Sequence, residues 1–101
     1  MFVALWEYEV KPGDKERFEK AYGPDGEWAR LFRSDSDYLE MRLMRDAFRP
    51  AMYLTLDFWD SREAYEKFLA KHRAEYSAVD EATESLKNNE RRIGWHELVA
   101  P

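Results

Sequence analysis

Polarity alternates with a period of two over three stretches of this chain, and each alternation ends at residues that bend the backbone. In the first stretch Phe2, Ala4, Trp6, Tyr8 and Val10 lie on one side, with Val3, Leu5, Glu7 and Glu9 on the other. That period predicts a strand. Pro12 and Gly13 turn the chain, and Asp14 is placed to cap a helix whose apolar face is Phe18, Ala21 and Tyr22. Gly23 and Pro24 stop this helix, since glycine suits the position after a helix end and proline cannot continue it. Beyond the Asp25-Gly26 corner, Trp28, Leu31 and Phe32 give a second short helical stripe.

Alternation returns at Asp37 to Arg45, where Leu39, Met41 and Leu43 oppose Tyr38, Glu40, Arg42 and Met44. After the Asp46 to Pro50 connection, Ala51 to Trp59 sets Met52, Leu54, Leu56 and Phe58 against Tyr53, Thr55, Asp57 and Trp59, and the two stretches together read as a hairpin. Asp60, with Glu63 three residues on, forms a capping-box pattern and opens a helical stretch to about Asn88. Its length predicts a bend or restart near Tyr76 to Asp80. Arg92 to Val99 reads as a last strand of ambiguous facing, with Ile93, Trp95 and Val99 for one side and Gly94, His96 and Leu98 for the other.

Strand, helix, strand, strand, helix, strand is the order of the ferredoxin-like split βαββαβ pattern, an α+β fold with a four-stranded antiparallel sheet. Right-handed crossovers place the first and third strands in the middle and both helical regions on one face. With 101 residues and no repeat or linker, residues 1–101 are expected to form a single domain. The other sheet face is expected to carry Val3, Leu5, Tyr53 and Trp59 among Glu7, Glu9, Glu40, Arg42, Thr55 and Asp57. Those apolar groups predict a homodimer, in which a second copy of the sheet covers the face.

A net charge of -5 excludes an electrostatic nucleic-acid binder, which needs a basic face. The absence of cysteine excludes disulfides, thiolate catalysis and cysteine metal sites. MFVALWEYEV has neither a positive leader nor a continuous apolar run, so no signal peptide or membrane span is indicated and a cytoplasmic protein is expected. Aromatic residues make up 16% of the chain, more flat apolar surface than a small core requires, which points to a ligand cleft or a subunit interface.

The cleft has candidate residues. Tyr65, Phe68, Leu69, His72, Tyr76 and Val79 share one helical stripe, so a histidine and two tyrosines are predicted to face the sheet, opposite Tyr22, Trp28 or Phe32. An imidazole there could act as a base, since burial favours its neutral form. The alternative is a histidine bonded to backbone or tyrosine at the edge of the core. His96 is expected to be exposed or interfacial. Glu7, Glu9, Glu40 and Asp57 could gather on the open face and bind a hard cation, but Arg42 among them favours a hydrogen-bonded interface. Glu63 with Lys67 and Lys71 with Glu75 are solvated pairs.

The segments KPGDKERFEKAYGPDGEWARLFRSDSDYLEMRL, LTLDFWDSREAYEKF and AEYSAVDEATESL resemble small proteins of the antibiotic biosynthesis monooxygenase-like family, within the dimeric α+β barrel superfamily. The resemblance implies a homodimer of sheets packed face to face and a pocket between each sheet and its helices. Members of the superfamily oxidise polycyclic phenols or quinols with oxygen and no metal or flavin, degrade haem, or have unrelated roles. The haem-degrading pattern is not met, for FVALWEYEV lacks the expected Asn, Phe68 stands at the position of the Trp, and His72 comes one turn later with Ala78 near the ligand's place. The resemblance therefore implies a cofactor-independent monooxygenase acting on a small aromatic quinol or polyphenol, with no cofactor and no metal. His72 and Tyr76 are its candidate catalytic groups, and Tyr22, Trp28, Phe32, Tyr65 and Phe68 its candidate binding wall. The other reading is a non-catalytic small-molecule-binding or accessory homodimer of the same fold.

Overall fold

The computed structural model describes residues 1–100. Strand β1 (Phe2–Val10) leads through a short 3₁₀ turn at Pro12–Asp14 into α1 (Lys15–Tyr22) and α2 (Glu27–Phe32). The hairpin of β2 (Tyr38–Arg45) and β3 (Met52–Trp59) follows, then α3 (Arg62–Lys71), α4 (Arg73–Thr83), a 3₁₀ turn at Glu84–Leu86, and β4 (Lys87–Glu97). The sheet order is β2-β3-β1-β4, antiparallel throughout, which is the ferredoxin-like arrangement the element order predicts.

All helices cover one face. In β1 the covered side is the expected one: Phe2, Ala4, Tyr8 and Val10 are buried and Trp6 packs against the same core. The facing of β3 is the reverse of the expectation. Tyr53, Thr55, Asp57 and Trp59 are buried beneath the helices, whereas Met52, Leu54, Leu56 and Phe58 are half-exposed on the open face. The registers require this, because Trp59, Asp57, Thr55 and Tyr53 lie directly opposite Phe2, Ala4, Trp6 and Tyr8, and directly opposed residues share a face. The open face thus carries Val3, Leu5, Leu54, Leu56 and Phe58 and is more apolar than the sequence suggested. Asp57 does not join Glu7, Glu9 and Glu40 there; Glu7 is bonded to Arg91 at 3.0 Å instead.

Three other details differ. Ser61, not Asp60, caps α3, its hydroxyl accepting from the Ala64 amide at 3.1 Å, an arrangement worth about 1 kcal/mol. The long helical stretch breaks at His72, whose φ of -112° and ψ of 33° leave the helical region, rather than near Tyr76 to Asp80. Strand β4 begins at Lys87, where helix was expected, and its pairing with β1 shifts twice, leaving Asn88 and Ile93 unpaired, with Gly94 at a φ of +150° beside the second shift.

The core is an aromatic stack. Phe18 and Tyr22 are stacked at 4.3 Å, Trp59 meets Phe68 at 5.1 Å and Tyr65 at 5.5 Å, and Phe32 meets Phe68 edge-on at 5.5 Å. Such contacts fix α1, α2 and α3 against the sheet with ring geometry as well as area.

Candidate functional site

Asp57 lies in the middle of β3, between Ala4 of β1 and Met41 of β2. It is 5% exposed, and its Oδ1 has no hydrogen-bond partner among the described residues. Burial there disfavours the charged carboxylate and pushes its pKa up to about 7. A cavity of about 20 Å³ lies beside it, room for one water-sized molecule. Around that cavity stand Trp6, Tyr8, Tyr22, Trp28, Phe32 and Met41, with Thr55, Tyr65 and Tyr76. The indole Nε1 of Trp28 is also buried without a partner.

Three phenols of this wall, Tyr8, Tyr65 and Tyr76, are held protonated. Burial raises Tyr65, with the nearby Asp57 adding to it, and burial raises Tyr76, with Tyr65, Asp80 and Asp57 contributing. Tyr8 is raised by burial and then by Tyr22 and Asp57. Tyr38, outside the cavity but close to the same carboxylate, is pushed up to about 12 by burial and then by Asp57. Asp57 is accordingly the wall residue poised to change charge near neutral pH.

At the other end of the cavity Lys87 is buried. Its ammonium donates to Glu90 at 3.0 Å and to the Tyr22 hydroxyl at 3.3 Å, and it lies 3.6 Å from Asp80 and 3.8 Å from Glu84. Asp80, Glu84 and Glu90 are close enough together to hold a cation, and the protein's own Lys87 ammonium already lies among all three. Tyr22 in turn donates to Thr83 at 3.1 Å, which donates to the Val79 carbonyl at 2.9 Å, so one chain of hydrogen bonds ties α1, α4 and β4 together.

An outer groove of about 470 Å³ shares Trp6, Tyr65 and Tyr76 with the inner cavity and is otherwise lined by Glu66, Leu69, Ala70, Arg73, Ser77, Arg92 and Trp95. Drug-sized ligands occupy volumes of this order. A larger concavity of about 770 Å³ runs along the outer edge of β2 from Tyr38 to Met44, but it is an open strand edge without a converging set of buried polar groups.

The sequence-predicted residues divide accordingly. Tyr22, Trp28, Phe32, Tyr65 and Tyr76 come together around the cavity. Phe68 does not, being a core residue 1% exposed. His72 stands at the break between α3 and α4, stacked on Phe68 at 4.7 Å with Nδ1 bonded to Glu75 at 2.6 Å, and it lines neither the cavity nor the groove. The stripe reading carried the helix unbroken through His72, with the bend placed near Tyr76 to Asp80, whereas the break falls at His72 itself. Asp57 was missed as a site residue because β3 was faced the wrong way. The available signal was an acid in the apolar run LTLDFW, which a covered strand carries only at a cost.

A ferredoxin-like sheet with an aromatic cavity beneath its helices defines a class of small α+β proteins. Residues 1–81 match the antibiotic biosynthesis monooxygenase family, and the chain belongs to it. Among solved structures it is similar to an antibiotic biosynthesis monooxygenase from Deinococcus radiodurans, at 15% identity with 100% of this chain and 95% of that one covered and a TM-score of 0.75. One from Nitrosomonas europaea is 13% identical over 99% of this chain and 100% of that one, with a TM-score of 0.74. SnoaB, a cofactor-independent oxygenase from Streptomyces nogalater, is 14% identical over 99% of this chain and 94% of that one, with a TM-score of 0.67. At these identities the likeness is one of fold. No curated protein matches the sequence.

Proposed function

We propose that the protein is a cofactor-independent monooxygenase acting on a small aromatic quinol or polyphenol, with Asp57 as the base. The observation that carries this is the buried carboxylate of Asp57 in an aromatic wall, its Oδ1 without a partner and its pKa about 7. An acid of that pKa is strong enough as a base to take a phenolic or benzylic proton and is half ionised at neutral pH. The substrate anion so formed is electron-rich and reacts with dioxygen at carbon to give a hydroperoxide. Loss of water then leaves a carbonyl: one oxygen atom stays on carbon, the other leaves as water with the substrate's two hydrogens, and no outside reductant is needed. The inner cavity admits only a molecule the size of dioxygen or water, so the substrate ring belongs in the outer groove, reaching Asp57 by displacement of Tyr76 or Trp6 from the shared wall. Tyr22, Trp28, Phe32 and Tyr65 keep the reacting carbon dry. His72 has no part in this scheme.

The working unit we propose is a homodimer through the open sheet faces, since Leu5, Leu54, Leu56 and Phe58 form one half-exposed apolar surface on an otherwise complete protomer. The family relationship and the fold of the solved neighbours support it.

Oxygen uptake on a panel of quinols and anthrone-like phenols tests the reaction. Turnover is expected to rise with pH and level off above about 7, as Asp57 loses its proton. A flat profile from pH 5.5 to 8.5 would remove Asp57 from the role. The absence of oxygen uptake across the panel, with tight binding of the same compounds, would favour a binding or accessory protein.

A further inference from the structure

The outer groove has a charge as well as a shape. Arg73, at the start of α4, and Arg92, on β4, both line it, and among the described residues neither forms a hydrogen bond or an ion pair. In a chain with 21 acidic and 16 basic residues, two free guanidiniums on one aromatic groove stand out against the overall balance. The groove's own acid, Glu66, is taken up by Arg62 at 2.9 Å. Trp95 also lines the groove, with its Nε1 buried away from it. Arg92 also lies over the Trp95 ring at 5.0 Å, and Arg62 lies over it at 5.3 Å, so the indole is flanked by positive charge.

We propose that the groove selects aromatic compounds bearing a carboxylate, with the ring against Trp6 and Tyr65 and the anion held by Arg73 and Arg92. Guanidinium suits this task because its planar donors match a carboxylate in pairs. A neutral aromatic would leave both cations unanswered. The inference rests on the groove being the aromatic-binding part of the site proposed above, and it concerns binding, not turnover.

Calorimetric titration with 1-hydroxy-2-naphthoate and with 1-naphthol decides it. The naphthoate is expected to bind at least about tenfold more tightly at low salt. Arg73→Gln and Arg92→Gln should each remove most of that preference, read as the ratio of the two affinities within the same variant. Raising ionic strength from about 0.05 to about 0.5 M should weaken the naphthoate alone. Equal affinity for the two compounds, binding by neither, or variants that bind the naphthoate like wild type would each overturn the proposal. If a variant does not fold, the salt dependence of the wild-type protein still decides. Naphthoate binding without oxygen uptake removes the monooxygenase reading and leaves this one. Uptake on neutral quinols with no preference for the carboxylate does the reverse.

Discussion

Asp57→Asn is expected to lower oxygen uptake by about two to four orders of magnitude while raising the melting temperature above neutral pH. The two effects have one cause. In the fold the carboxyl titrates near 7, against about 4 in the unfolded chain, so between those values the folded protein binds a proton that the unfolded chain has lost. Stability from this group is therefore fully present below pH 4 and declines as pH rises, reaching its floor above about 7. The gap of about three pKa units corresponds to a loss on the order of 4 kcal/mol. Asparagine cannot ionise, so the variant's melting temperature should not share this decline, and the curves of the two proteins should separate most at pH 8 and above. Parallel melts across the pH range would show that Asp57 is not the buried titrating group. Full activity in the variant would show that it is not the base.

Leu5→Glu should convert a two-chain particle into a single chain. Leu5 sits on a central strand opposite Leu56 and Gly94, in the middle of the apolar face. A sheet packed there would bury an unpaired carboxylate from each protomer, which costs several kcal/mol and raises the dissociation constant by about two orders of magnitude or more. Leu5 is only half-buried within its own protomer, so the fold should survive. Light scattering at micromolar concentration should give twice the chain mass for wild type and the chain mass for the variant. A wild-type protein that scatters as a monomer would rule out the sheet-face dimer and leave the apolar face without a partner.

How far the sequence could be read depended on whether each local pattern had a single physical meaning. For β1 it did, since glutamates at positions 7 and 9 mark one side as outward, and the strand faces as expected. In β3 both sides are apolar with a few polar members, and the side with more aliphatic residues is the open one. Alternation fixes which residues go together, but not which set faces the helices, when both faces carry large apolar groups. The helical stripe from Tyr65 placed Tyr65 and Tyr76 correctly and His72 incorrectly, because periodicity assumes an unbroken axis and nothing in the letters marks the kink. Five of the predicted residues reach the cavity; the carboxylate that gives it chemical interest was in view but assigned to the wrong side.

Strand β4 defeated the period altogether, and its irregularity has a consequence for how the molecule tolerates change. Its helix-side residues are Lys87, Glu90, Arg92, Trp95 and Glu97, by their pairing with Val10, Tyr8, Trp6, Ala4 and Phe2. The spacing runs three, two, three, two, because Asn88 and Ile93 are each counted out of the ladder. Those two supernumerary residues act as parity bits. With both present, the buried ammonium at the cavity and the guanidinium and indole of the groove fall on the same side; with either one removed, everything on one side of it would be read in the opposite sense. The identity of the residue at 93 therefore matters little, whereas its presence matters to every position of the strand that contributes to the site. In this strand the length of the chain, more than its lettering, encodes the site.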